Sequence, residues 1–169
     1  SISCNFTRIT IDHEDFIPRL NEIADRYFFD RSRLVIEITE DAMEKNKKIA
    51  FENVSRCKVL GFRIALDDTG SGYTSFSDLR DYPIDIVKID RSILSSAVNP
   101  RGIALLKGMI ALAHSLQMEV LCEGVETEQQ AVLLRQLDCD YMQGYYFHRA
   151  LPQEEVNRLL QERSALGKV

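Results

Sequence analysis

The chain has 169 residues, 45% hydrophobic and 28% charged, which is the balance of a globular domain with apolar material for one substantial core. Its formal net charge of -5 excludes a surface that grips polyanions by charge, because phosphate-backbone binding needs clustered Lys and Arg; duplex DNA or RNA is not an expected partner. No apolar run reaches the roughly 20 residues of a membrane-spanning helix, and the opening SISCNFTRIT has neither a basic leader nor an apolar signal core, so no membrane is expected in this segment and its expected setting is cytoplasmic.

In chain order, short β-rich runs alternate with longer segments of helical period. ISCNF (2–6) reads as a strand, followed by a helix over 15–29, the strand LVIEIT (34–39) and a helix over 45–60. The strand FRIALDD (62–68) comes next, then a short helix over 75–81 and the strand DIVKID (85–90). A helix over 101–116, the strand EVLCEGV (119–125), a helix over 128–137, the short strand YMQGY (141–145) and a helix over 153–163 complete the chain. Gly61 sits where a helix ends before a strand, Thr127 before Glu128 is an N-cap signal, and Asn99-Pro100 and Leu151-Pro152 mark turns before helices.

Such alternation predicts a parallel sheet with helices packed outside it. A closed parallel barrel has eight strands in about 250 residues, whereas six strands are read here. The expected fold is therefore α/β, an incomplete TIM-like (β/α) barrel lacking roughly its first two strands, with residues 1–169 as a single domain. Cys4, Cys57, Cys122 and Cys139 are scattered with no CxxC pair, so they read as reduced thiols, not disulfide or zinc partners.

The informative feature is where polar residues interrupt the strands. Asn5, Glu37, the pair Asp67 and Asp68, Lys88, Glu123 and Gln143 each stand at or near the C-terminal end of a different apolar run. A parallel barrel gathers those ends on one rim, where its active sites lie. Carboxylates gathered there repel one another unless cations neutralise them, and oxygen ligands suit Mg²⁺ or Mn²⁺ better than zinc. Adjacent carboxylates at Asp67 and Asp68 can serve two ions, and a two-metal site suits attack on a phosphodiester; Lys88 adds a cation for developing charge. Each residue alone also has a plain structural reading. Glu37 could be a salt-bridged strand residue, and Asp67-Asp68 before Thr-Gly-Ser-Gly a turn; their joint occurrence at successive strand ends favours the site. His13, His114 and His148 lack matched partners and read as structural, the run Glu44 to Lys48 as a solvated helix start, and Tyr141, Tyr145, Tyr146 and Phe147 as packing, with one of them able to touch a base.

The stretches CNFT, IEITE, ALDDTGSGYTSFSDLRDYPIDIVKID, CEGVETEQQ and DYMQGYYF resemble, in order and spacing, the signature segments of EAL-domain cyclic di-GMP phosphodiesterases, over essentially the whole chain. The resemblance implies an EAL-type barrel that linearises cyclic di-GMP to pGpG with Mg²⁺ or Mn²⁺ in a two-metal site. It implies metal ligands at Asn5, Glu37, Asp67, Asp68 and Glu123, catalytic support from Lys88, Glu123 and Gln143, and loop and substrate support from Glu40, Gly70, Gly72 and Glu126. It also implies a homodimer and a parent protein that carries sensor or GGDEF domains. Two departures stand out. The family's opening Glu-Ala-Leu segment with its Arg is absent, and the only similar triplet, Glu119-Val120-Leu121, belongs to a later strand; the chain is thus expected to be the C-terminal two-thirds of the barrel, without one metal ligand and one phosphate clamp. In the loop after the Asp pair, Thr69 and Ser71 stand where an aromatic residue and Thr are usual. The alternative readings are a non-catalytic cyclic di-GMP receptor and a protein-interaction module on the same fold.

Overall fold

The computed structural model describes residues 1–39, 47–70 and 76–166. Its six strands are β1 (Ile2–Phe6), β2 (Leu34–Thr39), β3 (Arg63–Thr69), β4 (Ile86–Ile89), β5 (Glu119–Cys122) and β6 (Tyr141–Met142). All neighbours are parallel and the spatial order equals the chain order. That order separates a barrel from a doubly wound sheet, in which strand order reverses at a switch point. The strands form an open half-barrel, the expected incomplete TIM-like architecture.

Eight helices accompany the strands among the described residues: α1 (Arg8–Ile11), α2 (Phe16–Tyr27), α3 (Lys47–Val59), α4 (Phe76–Asp81), α5 (Arg91–Ser96), α6 (Pro100–Ser115), α7 (Glu128–Gln136) and α8 (Gln153–Leu166). None is long and apolar enough to cross a membrane. Their starts follow local chemistry. Thr127 accepts from the Gln130 N–H while the Gln130 side chain caps Thr127 in return, a reciprocal capping box. Asn99 accepts from the Arg101 and Gly102 N–H groups at 3.0 Å, with Pro100 in the first turn, where its missing N–H is not needed. Gly61 follows α3 at φ 93°, the left-handed stop that glycine adopts without steric cost.

Side-chain alternation sorts the strands into two faces. Ile36 and Ile38, Ile64 and Leu66, Val87 and Ile89, and Val120 and Cys122 face the helices and form the main core with Leu20, Val54, Leu106, Ile110 and Leu134. The opposite face carries a smaller buried cluster of Val35, Ala65 and Ile86, with Leu121 against it. One step towards the strand N-termini on that inner face lie Arg63 and Glu119, which pair with each other, and Tyr141, whose hydroxyl donates to Glu119 at 3.1 Å. One step towards the C-termini lies a polar layer.

Some boundaries differ from the sequence expectation. α1 and α5 are short pieces that follow β1 and β4 directly, started by the side chains of Thr7 and Asp90; four and six residues are too few to show a helical period. β5 ends at Cys122, earlier than expected, because Gly124 turns the chain at φ 68°, and β6 also ends earlier than expected, at Met142.

Candidate active site

The polar layer is centred on Lys88, whose side chain is 5% exposed. Its Nζ donates to Asp67 Oδ1 at 2.7 Å, Glu123 Oε1 at 2.8 Å and Glu37 Oε2 at 3.1 Å. These residues come from four different strands or strand ends and meet because each stands two positions beyond a member of the inner apolar cluster: Glu37 after Val35, Asp67 after Ala65, Lys88 after Ile86, Glu123 after Leu121. Burial alone would pull the Lys88 ammonium below its ordinary pKa, but the hydrogen bonds it donates to Asp67 and Glu123 and their negative charges more than offset this and hold it well above.

One cation against three carboxylates leaves excess negative charge, and Asp68 adds to it. One carboxylate oxygen from each of Asp67, Asp68 and Glu123 lies within 4.8 Å of the other two. Partial burial, then the charges of Asp67 and Asp90, raise the Asp68 pKa against the opposing pull of Lys88. Two consecutive aspartates reach this rim because β3 carries a bulge. Leu66 pairs with Val87 and Thr69 with Ile89, so Asp67 and Asp68 together oppose Lys88 alone. Asp68 takes φ 58°, a left-handed conformation that Asp tolerates better than most side chains.

Asn5 completes the layer from β1, in register with Glu37. Its carboxamide faces Glu37 Oε2 and Asp67 Oδ2, and with the nitrogen inward it donates to them at 3.1 and 3.3 Å. With the oxygen inward, oxygens converge with no proton between them, an arrangement that a cation neutralises. The donor set is therefore all oxygen, anionic in excess and partly buried, which fits a hard divalent cation. Asn5, Glu37, Asp67, Asp68 and Glu123 are the residues that would hold it.

Backbone ladder bonds extend past β5 and β6 and fix the remaining rim. Glu123 N–H donates to Ile89 O at 3.0 Å, Gln143 N–H to Cys122 O at 2.9 Å, and Val125 N–H to Gln143 O at 3.0 Å. Beside the carboxylates a cleft opens, lined by Glu123, Gln143, Glu126, Arg91 and Tyr145 over Gly124 and Gly144. Gln143 thus adjoins the carboxylate layer through the shared wall at Glu123.

The family profile described as the EAL domain matches residues 1–150. The chain belongs to the EAL domain family. A cyclic di-GMP phosphodiesterase of Pseudomonas aeruginosa, NbdA, is 38% identical over 128 residues, covering 75% of this chain and 16% of that protein. Among solved structures, the EAL enzyme Bd1971 with cAMP and cyclic di-GMP bound superposes with a TM-score of 0.89 at 30% identity, over 93% of this chain and 42% of that one. The EAL domain of Mycobacterium smegmatis DcpA gives 0.90 at 27% identity, over 95% of this chain and 72% of that one. The chain spans about a fifth of the length of the curated relatives it matches.

Of the EAL-type site residues expected from sequence, the fold gathers Asn5, Glu37, Asp67, Asp68, Lys88 and Glu123 in one layer, with Gln143 and Glu126 on the adjoining cleft. Gly70 follows β3 at φ 98°. Glu40, Ser71 and Gly72 lie outside the described residues. Of the histidines, His114 Nε2 lies 2.8 Å from Asp140 Oδ2, which also accepts from the Val120 N–H; this link sits before β5 and β6, at the end opposite the site. The sequence reading passed over Asp90 and Arg91. Asp90 is two positions beyond Lys88, caps α5 by accepting from the Ser92 N–H at 2.9 Å, and adds negative charge beside Asp68. The sequence signal was the alternation Ile86, Lys88, Asp90, which keeps Asp90 on the inner face.

Proposed function

We propose that the protein carrying this chain is a metal-dependent phosphodiesterase that hydrolyses cyclic di-GMP to linear pGpG, with Mg²⁺ or Mn²⁺ held by Asn5, Glu37, Asp67, Asp68 and Glu123. The observation that carries the reading is the Lys88 layer: a buried ammonium bonded to three carboxylates from separate strands, beside an Asp67–Asp68–Glu123 oxygen cluster at the strand C-termini. Divalent cations, when bound, supply Lewis acidity at the phosphoryl oxygens and make water a better nucleophile at neutral pH.

The chain's own residues do the rest. Lys88 fixes Glu37, Asp67 and Glu123 in one geometry, so no reorganisation accompanies the reaction, which is how preorganised charge lowers a barrier. The bulge at Asp67-Asp68 presents two adjacent carboxylates from one strand end. Gln143, on the cleft wall beside Glu123, offers an amide to orient the substrate or the attacking water. Water adds to phosphorus, the bond from phosphorus to the 3′ oxygen breaks, and that oxygen takes a proton to leave a 3′-hydroxyl and a 5′-phosphate.

Alanine at both Asp67 and Asp68 separates this reading from a receptor on the same fold. Hydrolysis by the wild type that falls to background in the double variant, while its circular dichroism is unchanged, is the expected result. Cyclic di-GMP bound by the wild type in Mn²⁺ without turnover would move the assignment to the receptor.

A further inference from the structure

We propose that Arg91 is a specificity-determining residue that donates its guanidinium to the acceptor edge of a guanine held in the cleft beside the carboxylate layer. The inference rests on the guanine-nucleotide substrate proposed above, and it names the group that would read the base. Arg91 opens α5 immediately after the inner-face sequence of β4. Its stem is set by the neighbouring loop: Gly124, at φ 68°, passes so close that a Cβ built there would stand 2.4 Å from Arg91 Cβ. Gly144 passes the Val125 backbone in the same way, where an added Cβ would lie 2.1 Å from the carbonyl oxygen. The cleft floor is therefore backbone, with Arg91, Glu126 and Tyr145 standing around it.

Two opposite charges line this cleft without meeting. Among the described residues the Arg91 guanidinium and the Glu126 carboxylate form no ion pair or hydrogen bond, with each other or with a third group. Tyr145 is 62% exposed and carries the Arg149 guanidinium over its ring, 4.5 Å from the centroid, and Glu123 is shared between the cleft and the Lys88 layer. A ligand seated there thus meets paired donors and an acceptor, next to the site where a phosphodiester would react.

The charge pattern selects among ligand groups. A phosphate in the cleft would face the Arg91 cation but also the carboxylates of Glu123 and Glu126, which repel it. Guanine offers a pair of acceptors, O6 and N7, to which Arg bonds bidentately, and the donors N1–H and N2–H on the adjoining edge for Glu126. Adenine puts an amino group beside N7, so a donor would confront the guanidinium.

The test compares the full-length wild type with Arg91→Met and Arg91→Lys. One readout is the kinetics of cyclic di-GMP hydrolysis in Mn²⁺; the other is equilibrium binding of the linear dinucleotides pGpG and pApA. Met keeps the stem that packs on Gly124, and an unchanged melting temperature certifies the fold. Both variants are expected to raise KM for cyclic di-GMP far more than they lower kcat, and to weaken pGpG binding by roughly tenfold or more with little change for pApA. Lysine follows methionine because it lacks the planar fork. Equal losses for both dinucleotides, or no loss in either variant, would overturn the assignment. A wild type that binds pGpG with a preference abolished by Arg91→Met, yet hydrolyses nothing, would sink the proposed reaction and leave Arg91 standing; no pGpG binding by the wild type would sink both.

Discussion

Lys88 illustrates how one residue organises the site. A buried ammonium is costly, and three carboxylates around it would be costlier still without it, so the group is stable only as a unit. Replacing Lys88 by Met in metal-free protein should destabilise the fold by about 3 kcal/mol, since breaking a buried charge network leaves uncompensated charge; urea unfolding measures it, and a change near zero would show that the carboxylates relax into solvent. Cysteine chemistry gives a second prediction at this scale. Burial is the first cause that pushes the thiols of Cys57 and Cys122 up to about 12 and that of Cys139 up to about 11. Since the thiolate is the reactive form, at pH 8 a thiol reagent should label these three only after denaturation. Rapid labelling of Cys57, Cys122 or Cys139 in the folded protein would contradict this burial. The carboxylates were legible in sequence because each interrupts an apolar run. Lys88 was legible on the same ground, but its bonds to them were not: Lys88 and Glu37 are 51 positions apart, and only the strand register brings them together. Arg91 was invisible for the opposite reason, since a charged residue at a helix start is ordinary.

Elements place these side chains through local devices. The capping box of Thr127 and Gln130 starts α7 just after Glu126, so the cleft wall depends on it. Thr127→Ala should cost about 1 kcal/mol by loss of the cap, read as a lower urea midpoint at unchanged slope; no shift would mean that tertiary packing alone holds the helix start. This cap, like the Gly61 stop and the Asn99-Pro100 start, could be read from residue types. The β3 bulge could not. FRIALDD reads as a plain strand under period-two alternation, and nothing in its composition says that Asp67 and Asp68 together face one residue of β4. Likewise α1 and α5 are below the length at which periodicity is informative.

At the scale of the whole molecule, sequential parallel order makes the inner face a stack of layers: a charged pair and a tyrosine at the N-terminal end, a thin apolar layer, and the polar layer at the C-terminal end. That layering was foreshadowed by polar residues recurring at successive strand ends, which is why the barrel and its rim were readable together. As proposed, an oxygen-rich, Lys88-centred layer binds divalent cations and acts on a cyclic dinucleotide. The most direct test is chromatographic analysis of cyclic di-GMP incubated with the full-length protein in Mn²⁺, in parallel with a sample stripped by EDTA. Conversion to pGpG that stops on chelation and returns with Mn²⁺ is the predicted result; intact cyclic di-GMP in the Mn²⁺ sample, or conversion unaffected by chelation, would contradict it.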